Sequence, residues 1–275
     1  MEKQMKTAPQ GIFVPPIAMY SQDGQLNIIE EARYFRWLQQ KGISGLFLNG
    51  SSGDAAKLTH AEKLLIVEAA RDAVPDMFRI GGVIEPSLRM ALELSKEYNA
   101  IGVDALAVCP PFYFKMTQDA IIEYVTAIAD NSAVPLLLYD IPAFSTAMDE
   151  QTILTLAKHP NVIGVKDSSR NFVRFENLIF KIKSERPDFR IYIGTEELLL
   201  VSLVAGADGA TVVTGGIRPD EILSIVNDWK RGDIAAARKT QLSLLAGIAE
   251  GFQGVFPSGF RKQVAACGFD VGPDR

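Results

Sequence analysis

Eight short apolar runs begin near residues 12, 43, 78, 104, 134, 162, 190 and 208, and between them lie longer stretches with apolar residues at helical spacing. A strand followed by a crossover helix returns the chain parallel to where it started, so this rhythm constrains the fold more than any other feature. The predicted strands are Ile12 to Ile17, Ile43 to Asn49, Phe78 to Val83, Asp104 to Cys109, Val134 to Tyr139, Val162 to Lys166, Arg190 to Gly194 and Asp208 to Val213. The predicted helices are Asn27 to Lys41, Thr59 to Val74, Pro86 to Tyr98, Thr117 to Asp130, Asp149 to Lys158, Phe172 to Ser184, Glu196 to Ala205 and Pro219 to Lys230. Gly42 marks the end of the first helix, Thr59 with Glu62 forms a capping box for the second, and Pro86 suits the first turn of the third. Eight such units without a break in composition predict a (β/α)8 barrel. The competing α/β architecture, a doubly wound open sheet, calls for GxGxxG after the first strand, where Val14-Pro15-Pro16 stands.

The chain's 275 residues match one barrel of ordinary size. Residues 1–232 are expected to form it. Residues 233–275 then read as a C-terminal helical extension packed on the barrel, with Asp233 to Phe252 as one more Ala- and Leu-rich helix, giving a single domain overall. Extra helices on a barrel often meet a partner subunit, which predicts an oligomer. A net charge of −5 without any Lys/Arg-rich run argues against nucleic acid or an anionic membrane as partner. Cys109 and Cys267 belong to no CxxC pair, and no stretch approaches the length of a membrane span, so a cytoplasmic protein is expected. His60 and His159 lack strand-end ligand spacing, and no metal is expected.

In a barrel of this kind the reacting groups stand at the carboxyl ends of strands. Lys166 closes the apolar run Val162-Ile-Gly-Val165. A lysine held at an apolar edge has its ammonium form disfavoured, and the neutral amine that results is the nucleophile of Schiff-base chemistry. The plain alternative is a lysine paired with its neighbour Asp167. Tyr139 ends the preceding strand, about one βα unit earlier, so both side chains can reach one substrate across the roughly 4.8 Å between strands. The second strand ends in Asn49-Gly-Ser-Ser-Gly-Asp54, a turn whose N–H groups and hydroxyls suit a carboxylate or phosphate. Read plainly, it is an ordinary polar turn.

Together, Gly50-Ser-Ser-Gly-Asp54, Pro110-Pro-Phe-Tyr113, Tyr139-Asp-Ile-Pro142 and Gly164-Val-Lys-Asp-Ser168 resemble the dihydrodipicolinate synthase and N-acetylneuraminate lyase family of pyruvate-handling class I aldolases. The resemblance implies a homotetramer acting on a 2-keto acid with no cofactor beyond a covalent lysine Schiff base. Lys166 would form that Schiff base and Tyr139 would relay protons, supported by Ser51. Gly50, Ser51 and Ser52 would hold the pyruvyl carboxylate, with Thr211 and Phe144 as further substrate contacts. Tyr113 matches a tyrosine that in several members reaches a neighbouring subunit's site. Phe144 stands where the family's dihydrodipicolinate synthases carry a carboxylate-binding arginine, which disfavours that activity. Asp54 replaces the usual glutamate, leaving its partner open, and the asparagine often seen after the eighth strand is missing from Thr211-Val-Val-Thr-Gly-Gly216. Phe112-Tyr-Phe-Lys-Met116 and Ile141-Pro-Ala-Phe-Ser145 look most like the subgroup that cleaves 2-keto-3-deoxy sugar acids to pyruvate and an aldehyde. A condensing synthase or dehydratase using the same iminium is the alternative, and a non-catalytic binding or regulatory barrel is the reading from another class.

Overall fold

The computed structural model describes residues 8–275. Eight parallel strands close into a barrel in sequence order: β1 (Gly11–Val14), β2 (Gly45–Leu48), β3 (Phe78–Val83), β4 (Ala105–Val108), β5 (Leu136–Asp140), β6 (Val162–Asp167), β7 (Arg190–Ile193) and β8 (Gly209–Thr211). Helices α1 (Ile28–Gln40), α2 (His60–Ala73), α3 (Leu88–Ile101), α4 (Gln118–Asn131), α5 (Glu150–Leu156), α6 (Phe172–Glu185), α7 (Leu199–Ala205) and α8 (Pro219–Lys230) surround it. Then come α9 (Ile234–Gly251) and α10 (Ser258–Ala266). Among the described residues no helix is long and apolar enough to cross a membrane.

Most expected elements stand where the periodicity put them, and the differences have local causes. β1 stops at Val14 because Pro15 and Pro16 offer no N–H to the ladder. α3 begins after Ser87, whose side chain accepts the Met90 N–H, so Pro86 lies outside the helix rather than in its first turn. The seventh helix opens as a 3-10 turn, Glu196–Leu198, before α7. The Thr59 and Glu62 capping box is present.

Two apolar cores result from the alternation of strand side chains. Outward residues such as Leu46, Leu48, Leu106, Leu138 and Val165 pack under helix residues such as Phe35, Leu94 and Phe175. Inward residues, among them Phe13, Phe47, Leu137, Ile163 and Tyr192, fill the barrel. Burying each of these large side chains contributes roughly 1.5–3 kcal/mol. Closure between β1 and β8 depends on two glycines: Gly11 and Gly209 adopt φ +137° and +152°, and a Cβ on Gly209 would lie 1.9 Å from the Gly11 carbonyl oxygen. At the amino end of the strands, Arg190 donates to the Ala8 carbonyl (2.9 Å) and the Tyr192 hydroxyl to the Pro9 carbonyl (2.7 Å). That end is plugged, which leaves the carboxyl ends open.

Candidate active site

β5 and β6 pair with Tyr139 opposite Lys166 and Asp140 opposite Asp167. Strand alternation sends the first pair into the barrel and the second pair outward. The outward carboxylates share one cation, Arg174 of α6, which donates to Asp167 at 2.7 Å and to Asp140, and also to the Met148 carbonyl. Asp167 is therefore committed to Arg174 and does not pair with Lys166. The bridge joins the two strands immediately behind the two inward side chains, where it fixes their register.

Lys166 is 6% exposed, and its Nζ lies 4.2 Å from the centre of the Tyr139 ring and 4.5 Å from that of Phe47. Among the described residues it makes no hydrogen bond or ion pair. Burial lowers its pKa to about 7, against the upward pull of the buried Glu196. Gly194 makes room for this side chain, since a Cβ there would stand 2.9 Å from Lys166 Cε and 2.1 Å from Ser168 Oγ. The Tyr139 ring packs edge-on against Phe47 with centroids 5.1 Å apart. Its hydroxyl lies 3.3 Å from Ser51 Oγ, and burial raises its pKa well above that of a free phenol.

The turn after β2 is a 3-10 turn, Ser51–Gly53, in which Gly53 N–H is the first to bond back, to Gly50. The Ser51 and Ser52 N–H groups are left unused by the turn. Its left-handed residues are Asn49 (φ 54°) and Asp54 (φ 57°), not the glycines. Asn49 is held by donating to the Lys63 carbonyl and to the Tyr98 oxygen. Asp54 accepts from the Tyr20 hydroxyl at 3.2 Å and from Arg261 of α10 at 2.9 Å. The partner left open by the sequence is thus a buried arginine from the last helix.

These groups line one cavity of about 290 Å³ at the carboxyl ends of the strands. Lys166, Tyr139, Ser51, Ser52, Thr211 and Phe144 all face it. Gly50 serves instead as the residue before the 3-10 turn. Tyr113 is not brought to the cavity within the chain: it is 88% exposed, with φ 79°, beside an equally open Phe114.

Several cavity residues were not anticipated. Glu196 is buried, accepts the N–H groups of Val213 (2.9 Å) and Thr214 (3.4 Å), and has its carboxyl pKa raised by burial. It follows β7 in Gly194-Thr-Glu-Glu197, a position the strand-end rule covers. Arg170, at φ 62°, pairs with Glu197 and stacks 5.4 Å over the Phe252 ring. Phe252 and Phe256, between α9 and α10, wall the mouth, with Phe256 5.5 Å from Phe144. Among the described residues no three His, Cys, Asp or Glu side chains are grouped to hold a metal ion.

The dihydrodipicolinate synthetase family profile matches residues 8–275. An uncharacterised DapA-like lyase of Pyrococcus horikoshii is 26% identical over 270 residues, spanning 96% of this chain and 92% of that protein. YagE, a putative 2-dehydro-3-deoxy-D-gluconate aldolase of Escherichia coli, is 29% identical over 269 residues, spanning 95% and 88%. The crystal structure of YagE in complex with pyruvate superposes with a TM-score of 0.91 at 28% identity, over 96% of this chain and 90% of that one.

Proposed function

This chain belongs to the dihydrodipicolinate synthetase family and is a carbon–carbon lyase of the class I aldolase type, and we propose that it reversibly cleaves a 2-keto-3-deoxy sugar acid into pyruvate and an aldehyde. The observation that carries this reading is the amine of Lys166, buried on two aromatic faces and, among the described residues, in no ion pair. With its pKa lowered by burial to about 7, the amine is available in its neutral form near neutral pH, where an unperturbed lysine is almost wholly protonated.

In the proposed mechanism the neutral amine adds to the keto carbon, and loss of water leaves an iminium. The C3–C4 bond then breaks with its electron pair drawn into the iminium, while the C4 hydroxyl gives up its proton as the aldehyde forms. Tyr139 is the acceptor. Its phenol is protonated in the free enzyme because burial disfavours the anion. A cationic iminium beside the ring reverses that bias: the phenol gives its proton to the carbinolamine hydroxyl as it leaves as water, and the phenolate so formed takes the C4 hydroxyl proton and passes it to C3 of the enamine. Ser51 orients the phenol, and the N–H groups of Ser51 and Ser52, which the 3-10 turn does not use, hold the carboxylate. Hydrolysis of the protonated enamine releases pyruvate and the lysine.

The tail of the substrate is read from the cavity wall. Ser168, Thr195, Glu197 and Arg170 offer hydroxyl partners on the β6 and β7 side. Phe144 opposite cannot bind a second carboxylate, which favours a neutral hydroxylated tail over a diacid. A homotetramer is part of the same reading, supported by the exposed Tyr113 and Phe114, and by Val173, Phe180, Val201 and Val204 standing exposed on α6 and α7. The test is pyruvate release from 2-keto-3-deoxy-gluconate, 2-keto-3-deoxy-galactonate, their 6-phosphates and N-acetylneuraminate. Turnover of a 3-deoxy hexonate above the others supports the proposal. Pyruvate consumption with a semialdehyde, and no cleavage of any sugar acid, overturns it.

A further inference from the structure

The turn that carries the Ser51 and Ser52 N–H groups is fixed differently at its two ends. Its entrance is Asn49, at φ 54°, whose side chain donates to the Lys63 carbonyl of α2 at 2.9 Å and to the Tyr98 oxygen of α3 at 2.6 Å. Its exit is Asp54, at φ 57°, where the backbone is weakly bonded. Asp54 N–H to the Ser51 carbonyl and Ala55 N–H to the Gly50 carbonyl are both 3.3 Å, longer than a good N–H···O bond. Left-handed backbone at a residue with a Cβ persists where its surroundings fix it. Here the side chain does so. Arg261 of α10, 207 residues further on, donates to Asp54 Oδ2 at 2.9 Å and to the Val271 carbonyl at 2.7 Å. Tyr20 closes the ring: its hydroxyl donates to the same Asp54 oxygen at 3.2 Å and its N–H to the same Val271 carbonyl at 3.1 Å. The guanidinium also lies 4.9 Å from the centre of the Tyr20 ring. All four residues are buried, and none of them lines the lysine cavity.

We infer that Arg261 is a positioning residue for the substrate: through Asp54 it sets the angle at which the Ser51 and Ser52 N–H groups meet the pyruvyl carboxylate. The inference rests on the reading that Lys166 forms the Schiff base and that this turn holds the carboxylate. It adds a residue that touches neither the substrate nor the lysine. A buried ion pair adds little net stability, because desolvation offsets the attraction. What a guanidinium held by two acceptors supplies is direction. It keeps the Asp54 carboxylate at one angle, and with it the left-handed backbone that ends the turn. The other Asp54 oxygen pairs at 2.9 Å with Lys57, whose side chain is 34% exposed. With Arg261 removed, Asp54 therefore keeps a cation and the Tyr20 hydroxyl, but the cation is on a flexible stem four carbons long. The turn survives with its exit angle loosened. The consequence is confined to ligands that present a carboxylate.

The test measures cyanoborohydride trapping on Lys166 with pyruvate and with acetone, which carries a methyl group in place of the carboxylate. Comparing the same two ketones across proteins cancels their intrinsic reactivity. Arg261→Met and Asp54→Asn are each expected to lower the pyruvate-to-acetone trapping ratio about tenfold or more, the effect of losing one charged hydrogen bond. Acetone trapping should stay within about twofold of the parent's. Arg261→Lys keeps the charge without the two-armed reach, and its ratio should fall between those of the parent and Arg261→Met. In cleavage, KM for the 2-keto acid should rise more than kcat falls. Circular dichroism and urea unfolding establish that each variant is folded, and if Arg261→Met does not fold, Arg261→Lys and Asp54→Asn decide. A folded set with the parent's ratio overturns the inference, as does an equal loss with both ketones, which marks a site loosened throughout. No adduct in the parent removes the lysine chemistry and this inference with it. Trapping in the parent with a ratio that no variant moves removes only the role of Arg261.

Discussion

The floor and the mouth of the cavity are built in different ways. At the floor, Lys166 and Tyr139 are 6% and 2% exposed, stand opposite each other on adjacent strands, and are locked from behind by Arg174. At the mouth, Phe144 and Phe252 are 49% and 43% exposed and come from a loop and from the end of α9. Strand register leaves the floor little freedom, because a one-residue slip would turn Lys166 outward and Asp167 inward. Loop aromatics carry no such constraint. The comparison teaches that the reaction is set by the barrel and the substrate by segments that can change without disturbing it.

The comparison breaks most visibly at the nucleophile. Lys166→Ala is expected to lower kcat by about 10^4-fold or more, since removing a covalent nucleophile leaves only binding and proton transfer. Tyr139→Phe keeps the ring on Phe47 but removes the proton acceptor, and kcat for cleavage should fall about 10^2- to 10^3-fold while pyruvate still traps. Arg174→Met leaves Asp140 and Asp167 buried without their cation. Urea unfolding should show a loss of about 3 kcal/mol, with Arg174→Lys intermediate. At the mouth, Phe144→Arg should leave pyruvate trapping intact and shift acceptor preference toward aldehydes bearing a second carboxylate by about tenfold. If Phe144→Arg instead abolished trapping, the floor and mouth would not be separable.

The smallest effect sharpens the electrostatics of the floor. The folded-state pKa of Lys166, about 7, lies below its ordinary 10.5. Between those values the unfolded chain holds a proton that the folded chain has released, so stability rises with pH across that window and the penalty for burying the ammonium is full below pH 7. Lys166→Met should therefore be more stable than the parent at pH 6, and the difference should shrink by pH 10, as read by thermal unfolding at the two pH values. The same ionisation predicts that the rate of imine formation rises through pH 7 and then levels.

What could be read before the structure follows the same division. Lys166, Tyr139, Ser51 and Ser52 sit at strand ends, where local pattern and barrel geometry together place a side chain. The Gly194-Thr-Glu-Glu197 segment obeys the same rule, but its acidic pair has the pattern of an ordinary first turn of a helix, which hides the role of Glu196. Arg174 has the spacing of any helix-surface arginine. Only the β5–β6 register reveals that it faces two buried carboxylates. Arg261, Phe252 and Phe256 reach the site from more than 80 residues beyond Lys166, and their contacts follow from how the last two helices fold back. Tyr113 shows the opposite case: a residue in a matching motif that its own chain leaves in the open.

The central claim is that the amine of one buried lysine is the nucleophile. Its most direct test is borohydride reduction in the presence of labelled pyruvate, followed by peptide mapping by mass spectrometry. The predicted result is a single stoichiometric adduct on Lys166, lost in Lys166→Ala and retained in Tyr139→Phe. An adduct on any other residue, or an unmodified protein that still releases pyruvate, would contradict the account.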